Sequence, residues 1–178
     1  VNALVAECND SYLNDIQTRV ITEADMLSAI ESASQDVIEG SVGAATGTSC
    51  YGFKGGIGTA SRMTGDGYTI GALLQTNFGA MRELTMLGVP IGQHVMGEMN
   101  APTDGSVVIV LATDAPITSR QLGRLAHRAV FGLARTGTIC HNGSGDFVIA
   151  FSTAYQLRTD SQDLPRLEFT LHEIISDR

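Results

Sequence analysis

Residues 104–113 read DGSVVIVLAT and are the most informative segment of this 178-residue chain. Residues 107–112 form an unbroken apolar run, which is typical of a strand buried on both faces. The residues before the run, 92–105, are polar and contain glycine and proline, so they predict an exposed loop. The segment therefore predicts that Ser106 lies where a loose loop enters a buried strand.

A second glycine–serine element has the same form. Residues 142–146 read NGSGD and lead into an apolar run that predicts a strand over 146–154. If the two strands are neighbours in one sheet, Ser106, Ser144 and Asp146 meet at the same sheet end. The glycine beside each serine lets a substrate backbone approach closely.

The rest of the chain alternates helical patterns with strands and turns. The other predicted elements are helices over 22–39 and 118–135, a hairpin of strands 57–63 and 68–76, a smaller hairpin over 83–91, and a strand over 166–174. This order predicts a single α+β domain of layered sheets flanked by helices. It does not match the regular strand–helix alternation of a nucleotide-binding fold.

Composition excludes several function classes. Hydrophobic residues make up 43% and charged residues 17% of the chain, which excludes general disorder. The formal charge is −8 and Lys54 is the only lysine, so we expect neither nucleic acid nor a membrane surface as partner. The three cysteines, at positions 8, 50 and 140, are widely spaced and the four histidines are scattered, so we expect no disulfide framework, metal site or cofactor.

Ser106 is a candidate nucleophile, but a serine hydroxyl needs a nearby base. The histidines do not obviously supply one. If the Gly105–Ser106 bond is cleaved, the new α-amino group of Ser106 is an alternative base, with an unperturbed pKa of about 7.7–8.0. Asn77 ends a predicted strand outside the core, and its amide is a candidate oxyanion donor. The structural alternatives stay open: Ser106 begins a strand, Ser144 caps a turn and Asn77 ends a strand.

Four longer motifs occur in order along the chain: GSVGAATG at 40–47, CYGFKGGIGTASR at 50–62, DGSVVIVLATDAP at 104–116, and NGSGD at 142–146. Together they resemble the self-processing L-aminopeptidase/D-esterase family, which includes the β-peptidyl aminopeptidases. The resemblance implies an αββα four-layer sandwich like that of N-terminal nucleophile hydrolases, with a different connectivity and incomplete here at both ends. It also implies one catalytic domain over 1–178, cut between Gly105 and Ser106 into an α-chain piece (residues 1–105) and a β-chain piece (residues 106–178) that stay associated.

The resemblance also assigns roles to individual residues. Ser106 matches the nucleophile, and Asn77 matches the oxyanion-hole asparagine. Ser144 and Asp146 match the pair that contacts the nucleophile and its amino group. The family also uses a tyrosine in this region.

The tyrosine position falls on Tyr12, the only tyrosine nearby, with Asn9 as the alternative occupant. The implied activity is that of an autoprocessing serine aminopeptidase, made as a zymogen, that hydrolyses short peptides, amino-acid amides or esters with a free amino group through an acyl-enzyme. The alternatives are acyl transfer, which related ornithine acetyltransferases carry out with threonine, and a non-catalytic sandwich for assembly or binding. We expect a homo-oligomer in the cytoplasm, with the periplasm as the alternative location.

Overall fold

The structure is a computed structural model that describes residues 4–95 and 105–155. The helices and strands in these two ranges are α1 (Glu23–Glu31), β1 (Ser49–Cys50), β2 (Phe53–Lys54), β3 (Ile57–Met63), β4 (Thr69–Asn77), α2 (Ile91–His94), β5 (Ser106–Thr113), α3 (Ser119–Ala134) and β6 (Gly145–Ser152). The predicted strand over 166–174 lies outside the described residues, as does most of the predicted loop over 92–105.

Strands β3 to β6 form one sheet in the order β3-β4-β5-β6. The β3–β4 pair is the predicted hairpin, and β4 pairs antiparallel with β5. Strand β6 pairs parallel with β5, and α3 supplies the crossover that a parallel connection requires. The two strands that follow the glycine–serine elements are therefore neighbours. This is the condition under which Ser106, Ser144 and Asp146 are expected to meet at one sheet end.

The core lies between this sheet and α3. Alternate residues of β5, namely Val107, Ile109 and Leu111, are buried against Leu125 and Leu133 of the helix. The residues on the other face of β5 are only partly buried by the described part of the chain. The prediction that this strand is buried on both faces is therefore confirmed for one face only. The helix and sheet together confirm the α+β class.

The two longest helices follow Thr22 and Thr118, the first residues of the predicted helical ranges, which act as N-caps. At α3, the backbone N–H of Thr118 donates to the Gln121 side chain at 2.9 Å, and at α1 the N–H of Thr22 donates to Asp25 at 2.7 Å. The prediction that α1 continues to residue 39 is wrong, because the helix ends at Glu31. None of its residues is buried, so no packing extends it through the serine-rich residues 32–36.

The smaller predicted hairpin over 83–91 is also wrong as a pair of strands. Only one bridge forms, between Met86 and Val89, around a two-residue turn at Leu87 and Gly88. Both turn residues have positive φ, as a tight hairpin turn requires, but a 3-10 helix (Met81–Glu83) and α2 replace the flanking strands. Within residues 4–95 and 105–155, no helix is long and apolar enough to cross a membrane.

Candidate active site

Three strand ends meet at one edge of the sheet. Ser106 begins β5, and it lies opposite Asn77, the last residue of β4, and opposite Gly145, the first residue of β6. The antiparallel β4 ends where the parallel pair β5 and β6 begins, so all three residues lie side by side. The structure thus brings the predicted nucleophile next to the predicted oxyanion donor.

One backbone N–H serves both sides of the predicted cleavage point. The N–H of Gly145 lies 3.1 Å from the carbonyl oxygen of Gly105 and 3.3 Å from Ser106 Oγ. Ser106 is only 8% exposed. Gly105 itself has no room for a side chain, since a Cβ there would lie 1.9 Å from the backbone oxygen of Asn77. The Gly105–Ser106 bond is therefore held tightly against a hydrogen-bond donor.

Ser144, in the turn that precedes β6, and Asp146, the second residue of β6, form a hydrogen-bonded pair. The Ser144 Oγ donates to Asp146 Oδ1 at 2.5 Å, and the Ser144 N–H donates to the His141 carbonyl at 2.8 Å, which closes the turn. A hydroxyl-to-carboxylate bond of this length is a strong, charge-assisted one. The carboxylate therefore fixes the orientation of the Ser144 hydroxyl.

Asn77 is buried, which makes the expectation that it lies outside the core wrong. Its side chain is only 6% exposed and is held at both ends. Oδ1 accepts from the Ser49 N–H at 3.0 Å, and Nδ2 donates to the Asn9 carbonyl at 2.7 Å. An amide nitrogen carries two N–H donors, and within residues 4–95 and 105–155 only one of them is used, so the other can serve a ligand.

A cavity of about 600 Å³ opens at this sheet edge. Ser106, Ser144 and Asn77 line it, and so does the N-terminal segment through Tyr12 and Asn9. The two residues considered for the tyrosine position are thus both at the cavity. Asp146 is not among the described residues that line it.

The N-terminal segment also brings a cysteine to the site, though not as a nucleophile. Burial raises the pKa of the Cys8 thiol to about 11, and its Sγ donates to the Ser106 carbonyl at 3.6 Å. Burial and the neighbouring Asp146 carboxylate likewise raise the pKa of the Cys140 thiol. Because the thiolate is the reactive form, a raised pKa lowers the reactivity of both thiols at neutral pH.

Two residues at the cavity, each able to contact a ligand, could not be identified from the sequence. Glu7 and Phe147 both line the cavity, one with a carboxylate and one with an aromatic ring. Glu7 lies in a short polar segment without periodicity or motif, so no sequence signal marked it. Phe147 follows the NGSGD element in a strand, where alternation alone does not distinguish a cavity wall from a core position.

The described residues hold no group of three or more His, Cys, Asp or Glu side chains with the geometry to bind a metal ion. The site is instead a serine hydroxyl, a hydroxyl–carboxylate pair, a fixed amide and a backbone N–H around one cavity. Such a set can hold a carbonyl group, attack it and stabilise the resulting oxyanion.

The model of peptidase family S58 matches residues 1–177. The chain belongs to peptidase family S58. Among curated relatives, the beta-peptidyl aminopeptidase BapA of Sphingosinicella microcystinivorans is 44% identical over 85% of this chain and 43% of its own length. The enzyme of the same name from Sphingosinicella xenopeptidilytica is 38% identical over 98% of this chain and 47% of its own length.

Solved structures of similar proteins agree with the fold. The PH0078 protein of Pyrococcus horikoshii OT3 is 47% identical with a TM-score of 0.88, over 99% of this chain and 50% of that one. The L-aminopeptidase D-ala-esterase/amidase of Ochrobactrum anthropi, described as a prototype of the serine aminopeptidases with a variant Ntn hydrolase fold, is 44% identical with a TM-score of 0.85, over 94% of this chain and 47% of that one. The predicted Ntn-hydrolase fold is confirmed, and the chain spans about half the length of the relatives it matches.

Proposed function

We propose that this S58 chain carries the catalytic centre of a self-processing serine aminopeptidase. The observation that supports it most strongly is the Gly145 N–H, which contacts both the Gly105 carbonyl oxygen and Ser106 Oγ. A donor in that position stabilises negative charge on the carbonyl oxygen when the hydroxyl attacks. The same donor remains beside Ser106 once the Gly105 side has left.

Self-cleavage proceeds in two steps, transfer of the Gly105 acyl group to Ser106 Oγ and hydrolysis of the resulting ester. Ser106 Oγ forms a bond to the Gly105 carbonyl carbon, the carbon–nitrogen bond breaks, and the hydroxyl proton passes to the leaving nitrogen by way of the Ser144–Asp146 pair. Water then hydrolyses the ester. The products are a Gly105 carboxylate and a Ser106 with a free hydroxyl and a free α-amino group.

Hydrolysis of substrate reuses the same atoms. The free α-amino group of Ser106, helped by the Ser144 hydroxyl, accepts the proton of the Ser106 hydroxyl. Its ordinary pKa of about 7.7–8.0 leaves part of the amine neutral near pH 7. Oγ attacks the substrate carbonyl, and Asn77 Nδ2 and the Gly145 N–H donate to the oxyanion. The amino group then returns the proton to the leaving amine, and water releases the acyl group from Ser106.

The free amino group of the substrate binds to Glu7. Glu7 lines the cavity and carries a carboxylate, whereas Asp146 is hydrogen-bonded to Ser144 and is not among the described lining residues. An ammonium ion beside a carboxylate gains a charge-assisted hydrogen bond that a blocked N-terminus lacks. The substrates are therefore short peptides, amides or esters with an unblocked N-terminus, and Tyr12 also lines the cavity that receives them.

The two pieces stay associated after cleavage because the cut does not break the sheet. Strand β5 pairs along its whole length with β4 from the other piece, and its side chains fill the core. We therefore expect residues before and after the cut to copurify.

Mass spectrometry of the whole protein tests the proposal directly. Wild-type protein should give a piece ending at Gly105 and a piece starting at Ser106. Ser106→Ala should stay uncut and inactive, whereas the matched control Ser61→Ala, on exposed strand β3, should be cut normally. Cleavage at the same bond in Ser106→Ala would contradict the assignment of Ser106 as attacking group.

A further inference from the structure

A half-buried histidine–carboxylate pair joins two segments that both lead to the site. His141 Nε2 lies 3.0 Å from both carboxylate oxygens of Glu83. The side chains are only 19% and 14% exposed, respectively. The mechanism proposed above does not use either residue, so their shared position needs its own explanation.

The Glu83 end of the pair holds the segment that follows Asn77. Glu83 ends the 3-10 helix after β4, and its Oε2 also accepts the Ala80 N–H at 3.3 Å. Ala80 comes three residues after Asn77 in the chain. One carboxylate therefore fixes the exit of the strand that carries the proposed oxyanion donor.

The two segments are also in contact through their backbones. The Thr85 N–H donates to the Thr136 carbonyl at 2.8 Å. A Cβ on Gly137 would lie 1.7 Å from the Glu83 carbonyl oxygen, so only glycine allows this approach. The His141–Glu83 pair adds a side-chain contact to an interface that these backbone contacts already hold.

The His141 end of the pair holds the turn that presents Ser144. The His141 carbonyl accepts the Ser144 N–H at 2.8 Å, so anchoring the histidine anchors the start of the turn. The preceding residue, Cys140, has a φ of 52°, a left-handed conformation that residues other than glycine adopt at a cost. Such a conformation persists where surrounding contacts determine it. Here these contacts are the bond from the Cys140 N–H to Thr138 Oγ1 at 3.1 Å and the Glu83–His141 pair at the next residue.

We propose that Glu83 and His141 are a positioning pair that holds the Ser144–Asp146 turn in place relative to Ser106, an inference that rests on the proposed function. Neither side chain is among the described residues that line the cavity. They act through Ser144. Because a displacement of about 1 Å can cost roughly 10²-fold in rate, loss of the pair should slow catalysis without weakening substrate binding.

The test is steady-state kinetics of the processed whole protein on an amino-acid p-nitroanilide. His141→Ala and Glu83→Ala should lower kcat by roughly 10–100-fold while KM stays within about 2-fold. His141→Gln places a nitrogen donor near the original Nε2 and should recover most of kcat. His141→Asn is one carbon shorter and should not. His127→Ala, at an exposed position of α3, is the matched control and should match wild type.

Several outcomes would overturn the positioning role. These are a folded His141→Ala protein with normal kcat, equal activity of the Gln and Asn variants, or failure of all the variants to fold, which would make the pair purely structural. If the wild-type protein hydrolyses no free-amine substrate, the proposed function fails separately. In that case the positioning role of the pair is tested by hydrogen exchange of the Ser144 amide. Exchange should be faster in His141→Asn than in His141→Gln, and equal exchange would overturn the positioning role.

Discussion

Replacing Asn77 by alanine removes the most firmly held donor of the proposed oxyanion site. Loss of one such donor in other hydrolases lowers kcat by about 10²–10³-fold, or roughly 2.7–4 kcal/mol of transition-state stabilisation. The substitution also leaves the Ser49 N–H and the Asn9 carbonyl without their bonds of 3.0 and 2.7 Å. A fully buried group left unpaired costs about 1–3 kcal/mol of folding stability, and these two bonds are only partly buried, so the combined loss should lie at the lower end of that range. We expect both a large kcat loss and a lower Tm.

The assay separates these two effects by comparison with Thr113→Val. Thr113 is equally buried and its Oγ1 also makes two hydrogen bonds, of 2.7 and 3.2 Å. It lies at the opposite end of β5, about 23 Å from Ser106 at roughly 3.3 Å per residue. Thr113→Val should therefore lower Tm by a similar amount and leave kcat unchanged, with both variants measured well below their melting temperatures.

Two results would refute this reasoning. A folded Asn77→Ala protein with kcat within about 3-fold of wild type would mean that the oxyanion is stabilised by other groups, since the lost donor should cost far more. An equal kcat loss in Thr113→Val would mean that the rate follows global stability and carries no information on Asn77.

The remaining predictions concern charge at the site. Glu7→Gln should raise KM for free-amine substrates and leave N-acetylated ones unaffected, as measured on paired substrates; equal effects would remove Glu7 from amine recognition. Asp146→Asn should lower kcat equally for both substrate types, because the carboxylate orients Ser144, and a selective loss on free amines would contradict this. Burial raises the pKa of the Cys8 thiol from 9.0 to about 11. Iodoacetamide at pH 8 should therefore label Cys8 about 100-fold more slowly than an ordinary thiol. The contribution of the buried neutral thiol to folding stability is complete below pH 9 and should be lost as the pH rises towards 11. Fast labelling of folded protein would show that the thiol is not buried.

Much of the sheet edge could be predicted because the same local signal occurs twice. An abrupt change from glycine–serine to an apolar run placed Ser106 and Ser144 at strand starts, and hairpin turn residues placed Asn77 at the end of the preceding strand. These signals are local, and the register that aligns them follows from pairing of whole strands. The resemblance to a known family supplied the roles, which spacing alone left open.

The missed features depend on contacts between distant segments. Glu7 reaches the cavity because residues 7–12 lie across the sheet edge, and nothing in its neighbouring residues encodes that. His141 and Glu83 are far apart in sequence, so scattered histidines gave no reason to pair them. The predicted helix over 22–39 shows the opposite error. There a periodic apolar pattern predicted a helix beyond Glu31, where no packing surface supports one.

Gly105→Ala tests whether the position of the scissile bond itself drives self-cleavage. The added Cβ would lie 1.9 Å from the Asn77 carbonyl oxygen, a backbone atom in a paired strand that cannot swing away. Residue 105 must therefore move off the edge, which breaks the 3.1 Å bond from the Gly145 N–H to its carbonyl. A displacement of about 1 Å can cost roughly 10²-fold in rate, so we expect the precursor to accumulate uncut.

The matched control is Gly71→Ala in β4, where a Cβ would meet only the Ala112 oxygen at 3.9 Å and self-cleavage should be normal. The β4–β5 ladder begins at Ser106, so Gly105→Ala should keep its sheet and its circular dichroism spectrum. Cleavage is followed over time on a denaturing gel. If Gly105→Ala is cut as fast as wild type, the Gly145 N–H does not act on the Gly105 carbonyl, and the oxyanion of self-cleavage must be stabilised by groups other than those that serve hydrolysis.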